Sequence, residues 1–275
     1  MKEYVQFSLK MDEKQLLLSE ILPEEVEAFW WDEAHAYGIV QKNQQSIITT
    51  FLSNLFKIQN LPFTISFEAI EKKDWLQENQ NQLPPIDIGP FFIYGPHYEG
   101  NLPNGGIPAV LIDSPHAFGS GHHPTTLSCL EALHQISYEN ILSPERILDL
   151  GCGSGILAMA AFLLWRVPTD AVDLDPVAIA ATKRNIASNK LEQISVYEKI
   201  ESGSHYDLIL ANIHSKTLIS LAKTIKDHLN NNGILILSGI LQTQEEEVLE
   251  AYAECQLSPL FTIQKGEWST LCFHQ

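Results

Sequence analysis

The 275-residue chain is 45% apolar, enough to bury one large core or two modest ones, and its 17 Lys and Arg against 34 Asp and Glu give a formal charge of −17. That charge repels phosphate backbones and attracts basic partners, so direct nucleic-acid binding is not expected. The longest apolar run, Ile156–Trp165, is about half of the roughly 20 residues a membrane span needs, and the start, with Lys2, Glu3 and Gln6, has no basic stretch leading into an apolar one, so a cytoplasmic protein with no membrane partner is expected.

In chain order, Tyr4–Lys10 alternates as a strand, Gln15–Leu22 has helical spacing, and Ala28–Trp31 and Ala36–Val40 read as short strands. Ser46–Ile58 reads as a second helix and Phe63–Ile70 as another alternating strand. This β-α-β-β-α-β succession fits a small α+β, ferredoxin-like N-terminal domain over residues 1–70. Residues 71–108 are expected to form a linker and lead-in hairpin: Glu71–Gln82 is polar and helix-capable, and Pro84, Pro85, Pro90, Pro96, Pro103 and Pro108 cut the rest into short extended pieces. Residues 109–275 form the second domain. There, strands at Ile147–Leu150, Thr169–Asp173, Ser195–Glu198, Leu208–Ala211 and Ile234–Ser238 alternate with helices, which argues for an α/β fold with a parallel sheet covered on both faces. Glu245–Glu247 reads as the solvated face of a helix. Cys129, Cys152, Cys255 and Cys272 are far apart, without C-x-x-C spacing, and read as reduced packing residues rather than metal ligands.

The run Ile147-Leu148-Asp149-Leu150 breaks into alternating glycines at Gly151, Gly153 and Gly155. Glycine supplies backbone freedom and a missing side chain where a ligand must approach the chain. The helix expected over Ile156–Trp165 points its free N–H groups above that turn. One strand-helix-strand unit later, Asp173 closes a strand where a carboxylate can accept two hydrogen bonds from a ribose diol. A dinucleotide site expects G-x-G-x-x-G. Here the spacing is G-x-G-x-G with Asp149 two residues before it, which resembles the first motif of S-adenosylmethionine-dependent methyltransferases. Asp149 would meet the ammonium end of that cofactor, directly or through water; the alternative is a helix-capping or strand-end acid.

Leu208–Ala211 ends in Asn212, which would sit at the carboxyl end of its strand beside a reactive sulfonium; the plainer alternative is a cap for a helix from Ser215 onward. Enzymes that methylate nucleobases and glutamine carry Asn-Pro-Pro-Tyr at this place. Asn212-Ile213-His214-Ser215 departs from it and disfavours that chemistry. Ala117-Phe118-Gly119-Ser120-Gly121-His122-His123-Pro124-Thr125-Thr126 precedes a helical run over Leu127–Leu133, with Pro124 suited to a helix start and the threonines able to cap it. His122 and His123 have no third ligand at metal-binding spacing, so no metal is expected.

Together with Ser238-Gly239-Ile240-Leu241 and Gly266-Glu267-Trp268, these segments resemble the PrmA family of ribosomal-protein methyltransferases, from about residue 110 to the end. The chain departs from the family at His116, Ser120 and Ile213-His214-Ser215. The resemblance implies a seven-stranded class I methyltransferase (Rossmann-like) sheet and an N-terminal domain that recognises the protein substrate. It implies S-adenosylmethionine held by Thr126, Gly151, Asp173 and Asn212, with Thr125, Gly153 and Asp149 beside them. It also implies methylation of lysine side chains, with the N-terminal amine as a further candidate, on protein eleven of the large ribosomal subunit, free or in the ribosome. No catalytic base is assigned, and Asn212 is expected to position the amine. Two other readings share these residues: a lysine methyltransferase acting on a different protein, and a non-catalytic ribosome-assembly factor that keeps the cofactor-binding fold.

Overall fold

The computed structural model describes residues 4–10, 26, 28–31, 35–58, 64–69, 84–103, 107–113 and 121–275. Two compact units divide the chain, Met1–Asp74 and Trp75–Gln275.

In the first unit, β1 (Tyr4–Lys10), β2 (Ala28–Trp31), β3 (His35–Gln41) and β4 (Ile65–Ala69) form an antiparallel sheet in the order β2-β3-β1-β4, with helix α1 over Gln45–Ile58. Alternate residues of β1, Val5, Phe7 and Leu9, share one core with Ile48, Leu52 and Phe56, which recur every four residues along α1. A period of two on the strand and of nearly four on the helix thereby meet face to face. The helices expected over 15–22 and 71–82 lie outside the described residues.

The second unit is built on seven strands: β8 (Ile147–Leu150), β9 (Thr169–Val172), β10 (Ile194–Tyr197), β11 (Tyr206–Asn212), β12 (Leu229–Leu241), β13 (Ser258–Lys265) and β14 (Trp268–His274). Their order is β10-β9-β8-β11-β12-β14-β13; the first five run parallel, and β14 is antiparallel to both β12 and β13. Five helices cover the sheet: α2 (Pro124–Tyr138), α3 (Ile156–Trp165), α4 (Pro176–Ser188), α5 (Ser215–His228) and α6 (Glu245–Glu254). On one face Ile147, Leu208, Leu210, Ile234 and Ile236 join a core with residues of α2 and α3. On the other, Leu148, Ile209, Leu235 and Leu237 pack with Leu218 and Ile225 of α5 and Val248 and Tyr252 of α6. Burial on both faces is why Leu208–Ala211 of β11 and Ile234–Leu237 of β12 read as unbroken apolar runs, and β8 as one broken by a single acid, Asp149. The seven-stranded α/β sheet is the expected one. The alternation of strands and helices gave no sign of its antiparallel edge, where β13 is mostly exposed and carries Pro259.

In the stretch expected to hold a linker and lead-in hairpin, the strands of an antiparallel hairpin are joined by a third. β5 (Ile86–Ile88), β6 (Phe91–Tyr94) and β7 (Ala109–Leu111) form a three-stranded sheet, and Phe91, Ile93 and Val110 enter the same core as α2 and α3. The prolines fall outside these strands. Past the end of α4, Asn189 Nδ2 donates to Leu111 O at 2.7 Å while Leu111 N donates to Asn189 Oδ1 at 2.8 Å. One turn earlier, Asn185 Oδ1 accepts from Asp113 N at 2.9 Å and its Nδ2 donates to Ser154 O at 2.9 Å. Helix α4 thus ties β7 to the glycine turn.

Candidate functional site

From β8 the chain winds outward through β9 to β10, then returns to lay β11 on the other side of β8. Where strand order reverses in this way, the connections diverge beyond the carboxyl ends and leave a crevice. Here its volume is about 360 Å³, and its walls include His123, Thr125, Gly151, Gly153, Asp173, Asn212, Ile213, Gly239 and Trp268. That size suits a small organic ligand.

The glycine turn sits tightly over β9. Gly151 N and Cys152 N donate to Val172 O at 2.8 and 3.0 Å. Gly151, Gly153 and Gly155 have φ of 75°, 56° and 79°, a left-handed region that other residues enter at a cost. Asp173 is fixed by two backbone donors, Gly153 N to Oδ2 at 2.9 Å and Asp175 N to Oδ1 at 3.0 Å. Each oxygen keeps a lone pair for a hydroxyl donor.

Asp149 lies behind that wall, 1% exposed. Its Oδ2 accepts from Ala158 N in the first turn of α3 at 2.9 Å, which is the helix-capping alternative realised for one oxygen. Its Oδ1 has no hydrogen-bond partner. Burial pushes the carboxyl up to about 7; the Ala158 N–H opposes this and the charge of Asp173 adds to it. A buried, half-satisfied acid fits a cationic amine, and the half-used oxygens of Asp173 fit a ribose diol, so these residues suit S-adenosylmethionine.

Helix α2 starts with Pro124 at its first position, so the cap falls two residues before Thr125. His123 Nδ1 takes that role, accepting from Thr125 N at 3.3 Å and lying 2.7 Å from Thr125 Oγ1. An N–H can only donate, so the ring proton sits on Nε2. Burial lowers the His123 pKa, and the ring meets Trp268 edge to face with centroids 5.0 Å apart. Thr126, 1% exposed, stands behind the wall and accepts from Asn212 Nδ2 at 3.4 Å. The cap of α5 is His214, not Asn212. Thr125 and Thr126 are also set deep: Thr125 O receives Ser128 Oγ at 3.1 Å and Ser238 Oγ at 3.3 Å.

Of the residues singled out from the sequence, Gly151, Gly153, Asp173, Asn212 and Thr125 line the crevice, while Asp149 and Thr126 back it. Residues 114–120 of the threonine loop lie outside the described residues. Sequence reasoning had no role for Gly239 or Ile213, and Trp268 entered only as part of Gly266-Glu267-Trp268. Their signal was motif membership, and their contacts span far-separated segments. Among the described residues no group of three or more His, Cys, Asp or Glu is arranged to hold a metal, and no helix is long and apolar enough to cross a membrane.

Sheet order and crevice define a class I methyltransferase. A solved structure titled as ribosomal protein L11 methylase from Lactobacillus delbrueckii subsp. bulgaricus matches with a TM-score of 0.60 at 27% identity, covering 66% of this chain and 93% of that one. The "Ribosomal protein L11 methyltransferase" of Brucella suis is 37% identical over 216 residues, 75% of this chain and 74% of its own. That of Rhizobium leguminosarum bv. trifolii is 36% identical over 215 residues, covering 75% and 72%. The family described as "Ribosomal protein L11 methyltransferase (PrmA)" matches residues 4–275, and the chain belongs to it.

Proposed function

We propose that this protein transfers methyl groups from S-adenosylmethionine to lysine side-chain amines, with the N-terminal amine as a further acceptor, of protein eleven of the large ribosomal subunit. The observation that carries the reading is the meeting of the Gly151–Gly153 turn, Asp173 and the Asn212 amide on one crevice in a PrmA-family chain. Asp173 would hold the ribose hydroxyls and Asp149 Oδ1 the amino-acid end of the cofactor, directly or through water. When bound, S-adenosylmethionine supplies an electrophilic methyl on a sulfonium.

One N–H of the Asn212 amide donates to Thr126, which orients the amide so that its side-chain carbonyl oxygen would accept an amine N–H and turn the amine lone pair toward the methyl. A lysine amine of ordinary pKa near 10.4 must first lose its proton, and desolvation beside a positive charge lowers that pKa. His123 is no acceptor for the proton at Nε2, because that nitrogen already carries one. Residues 1–70 are proposed to recognise the protein substrate, 71–108 to join the parts, and 109–275 to carry the chemistry, all in the cytoplasm. The acidic balance of the chain suits a lysine-rich partner.

Intact-protein mass spectrometry of purified protein eleven, incubated with this enzyme and S-adenosylmethionine beside an Asp173→Ala control, tests the reading. Methyl-sized additions that vanish in the control are expected. No addition, despite measurable cofactor binding, sends the search to another protein substrate.

A further inference from the structure

The residue after Asn212 is wedged from two sides. A Cβ on Gly151 would collide with Ile213 Cγ2, so the glycine turn touches the Ile213 side chain. A Cβ on Gly239 would lie 2.5 Å from Ile213 O, 2.9 Å from its C and 3.2 Å from its N, so the end of β12 touches the Ile213 main chain. Backbone atoms cannot rotate away as a side-chain tip can. Gly239 also has φ +80°, so two independent constraints require glycine there. The same position marks an irregularity in the sheet. Toward β11 the pairing is regular from Leu208 opposite Ile234 to Asn212 opposite Ser238, whereas toward β14 the register shifts between Leu237 and Ile240. Bulges of this kind beside a site re-aim the chain locally.

We propose that Gly239 is a positioning residue for methyl transfer. By letting the Ile213 peptide lie against its bare Cα, it fixes the height of the Asn212–Ile213 main chain, and with it the Asn212 carbonyl, relative to the glycine turn that faces the cofactor. This inference rests on the function proposed above. It gives Gly239 a task distinct from cofactor affinity: Asp173 and the glycine turn hold the cofactor, whereas Gly239 sets where the amine must stand. A displacement of an ångström at the reacting end costs turnover far more than binding.

The test compares Gly239→Ala and Gly239→Asn with a Gly203→Ala control. Gly203 has φ +79° and open space around its Cα, so the control carries the left-handed backbone penalty without the close approach. Asparagine tolerates the left-handed region better than alanine but still adds a Cβ. Three quantities are read: cofactor Kd by equilibrium titration, kcat on protein eleven, and hydrogen exchange of the peptide spanning residues 212–218. Both Gly239 variants should lose at least about tenfold in kcat, keep the cofactor Kd within about threefold and exchange faster over 212–218, while the control matches the parent in all three. A kcat within about twofold of the parent, or full recovery with asparagine, overturns the proposal. Should the Gly239 variants fail to fold, hydrogen exchange of the parent decides: with the Ile213 main chain held against Gly239, residues 212–214 should exchange more slowly than the turn around Gly203, and exchange at the same rate overturns the proposal. If the parent binds cofactor but does not methylate protein eleven, the substrate reading has failed, and exchange over 212–218 alone decides on Gly239, unchanged exchange overturning it.

Discussion

The two ends of the same parallel strands are built on opposite terms. At the amino end, Arg146 Nη2 donates to Asp170 Oδ2 at 2.7 Å and lies over the Tyr206 ring at 5.0 Å, and the Tyr206 hydroxyl donates to the same Asp170 oxygen at 2.9 Å. Beside them Asp207 accepts from Glu145 N, Arg146 N and Asn230 Nδ2 at 2.8, 3.1 and 2.8 Å. Burial alone would raise the Asp207 pKa, yet those donors hold it below its ordinary value. At the carboxyl end the backbone takes left-handed turns and Asp149 keeps one buried oxygen unpaired, its carboxyl pushed up rather than down. One end spends its polar groups on closing the fold, and the other holds them in reserve for a ligand.

Substitutions at the two ends should therefore separate function from stability. Asp173→Ala at the open end should cost the most, about a hundredfold or more in kcat/KM, with a matching loss of cofactor affinity by calorimetric titration and little change in the urea midpoint. Asp170→Ala at the closed end should do the reverse: removing a buried partner of both Arg146 and Tyr206 should lower unfolding free energy by about 2–4 kcal/mol, while kcat stays near the parent value. Equal losses of activity in the two variants would break the comparison.

Asp149→Asn sharpens it through pH. The folded-state pKa is raised to about 7 from 3.8, so the native protein without cofactor binds the extra proton and its stability falls as pH rises across that window. Asparagine removes this dependence and can still cap Ala158 N. The variant's advantage in thermal melting should be absent below pH 4, grow up to about 7 and then level off, at a size on the order of 2–4 kcal/mol. Its cofactor Kd should rise, because a neutral amide attracts an ammonium less than a carboxylate does. The smallest effect is expected for Tyr206→Phe, which removes one hydroxyl from Asp170 and should cost about 1 kcal/mol in urea unfolding with no change in kcat.

What the sequence made legible was local. The five parallel strands were readable because β8, β11 and β12 are wholly or nearly apolar through burial on both faces and β9 and β10 fall between helical runs, and Gly151, Asp173 and Asn212 because each stands at the carboxyl end of such a strand. Strand β13 was not, since of its apolar residues only Phe261 and Ile263 alternate inward along its exposed length and its partner is the last strand of the chain. A hairpin was expected where β5 and β6 pair, but the parallel addition of β7 and the packing of this sheet into the core were not read from the prolines. The N-terminal helix expected over 15–22 lies outside the described residues, and the ferredoxin-like expectation for that unit remains a proposal. Asp149 as a helix cap, His123 in the place of a capping threonine and the wedge on Ile213 arise from contacts between segments that local periodicity does not register.

The paired bonds between Asn189 and Leu111 reach beyond the site. A strand at the rim of a sheet offers unpaired N–H and C=O groups to any passing chain, and proteins blunt such rims to stay apart from one another. An amide side chain carries donors and an acceptor side by side, so Asn189 answers both groups of Leu111 as a neighbouring strand would, in a single residue. It works as a stopper on that rim: β7 can belong to this molecule and is denied to the next.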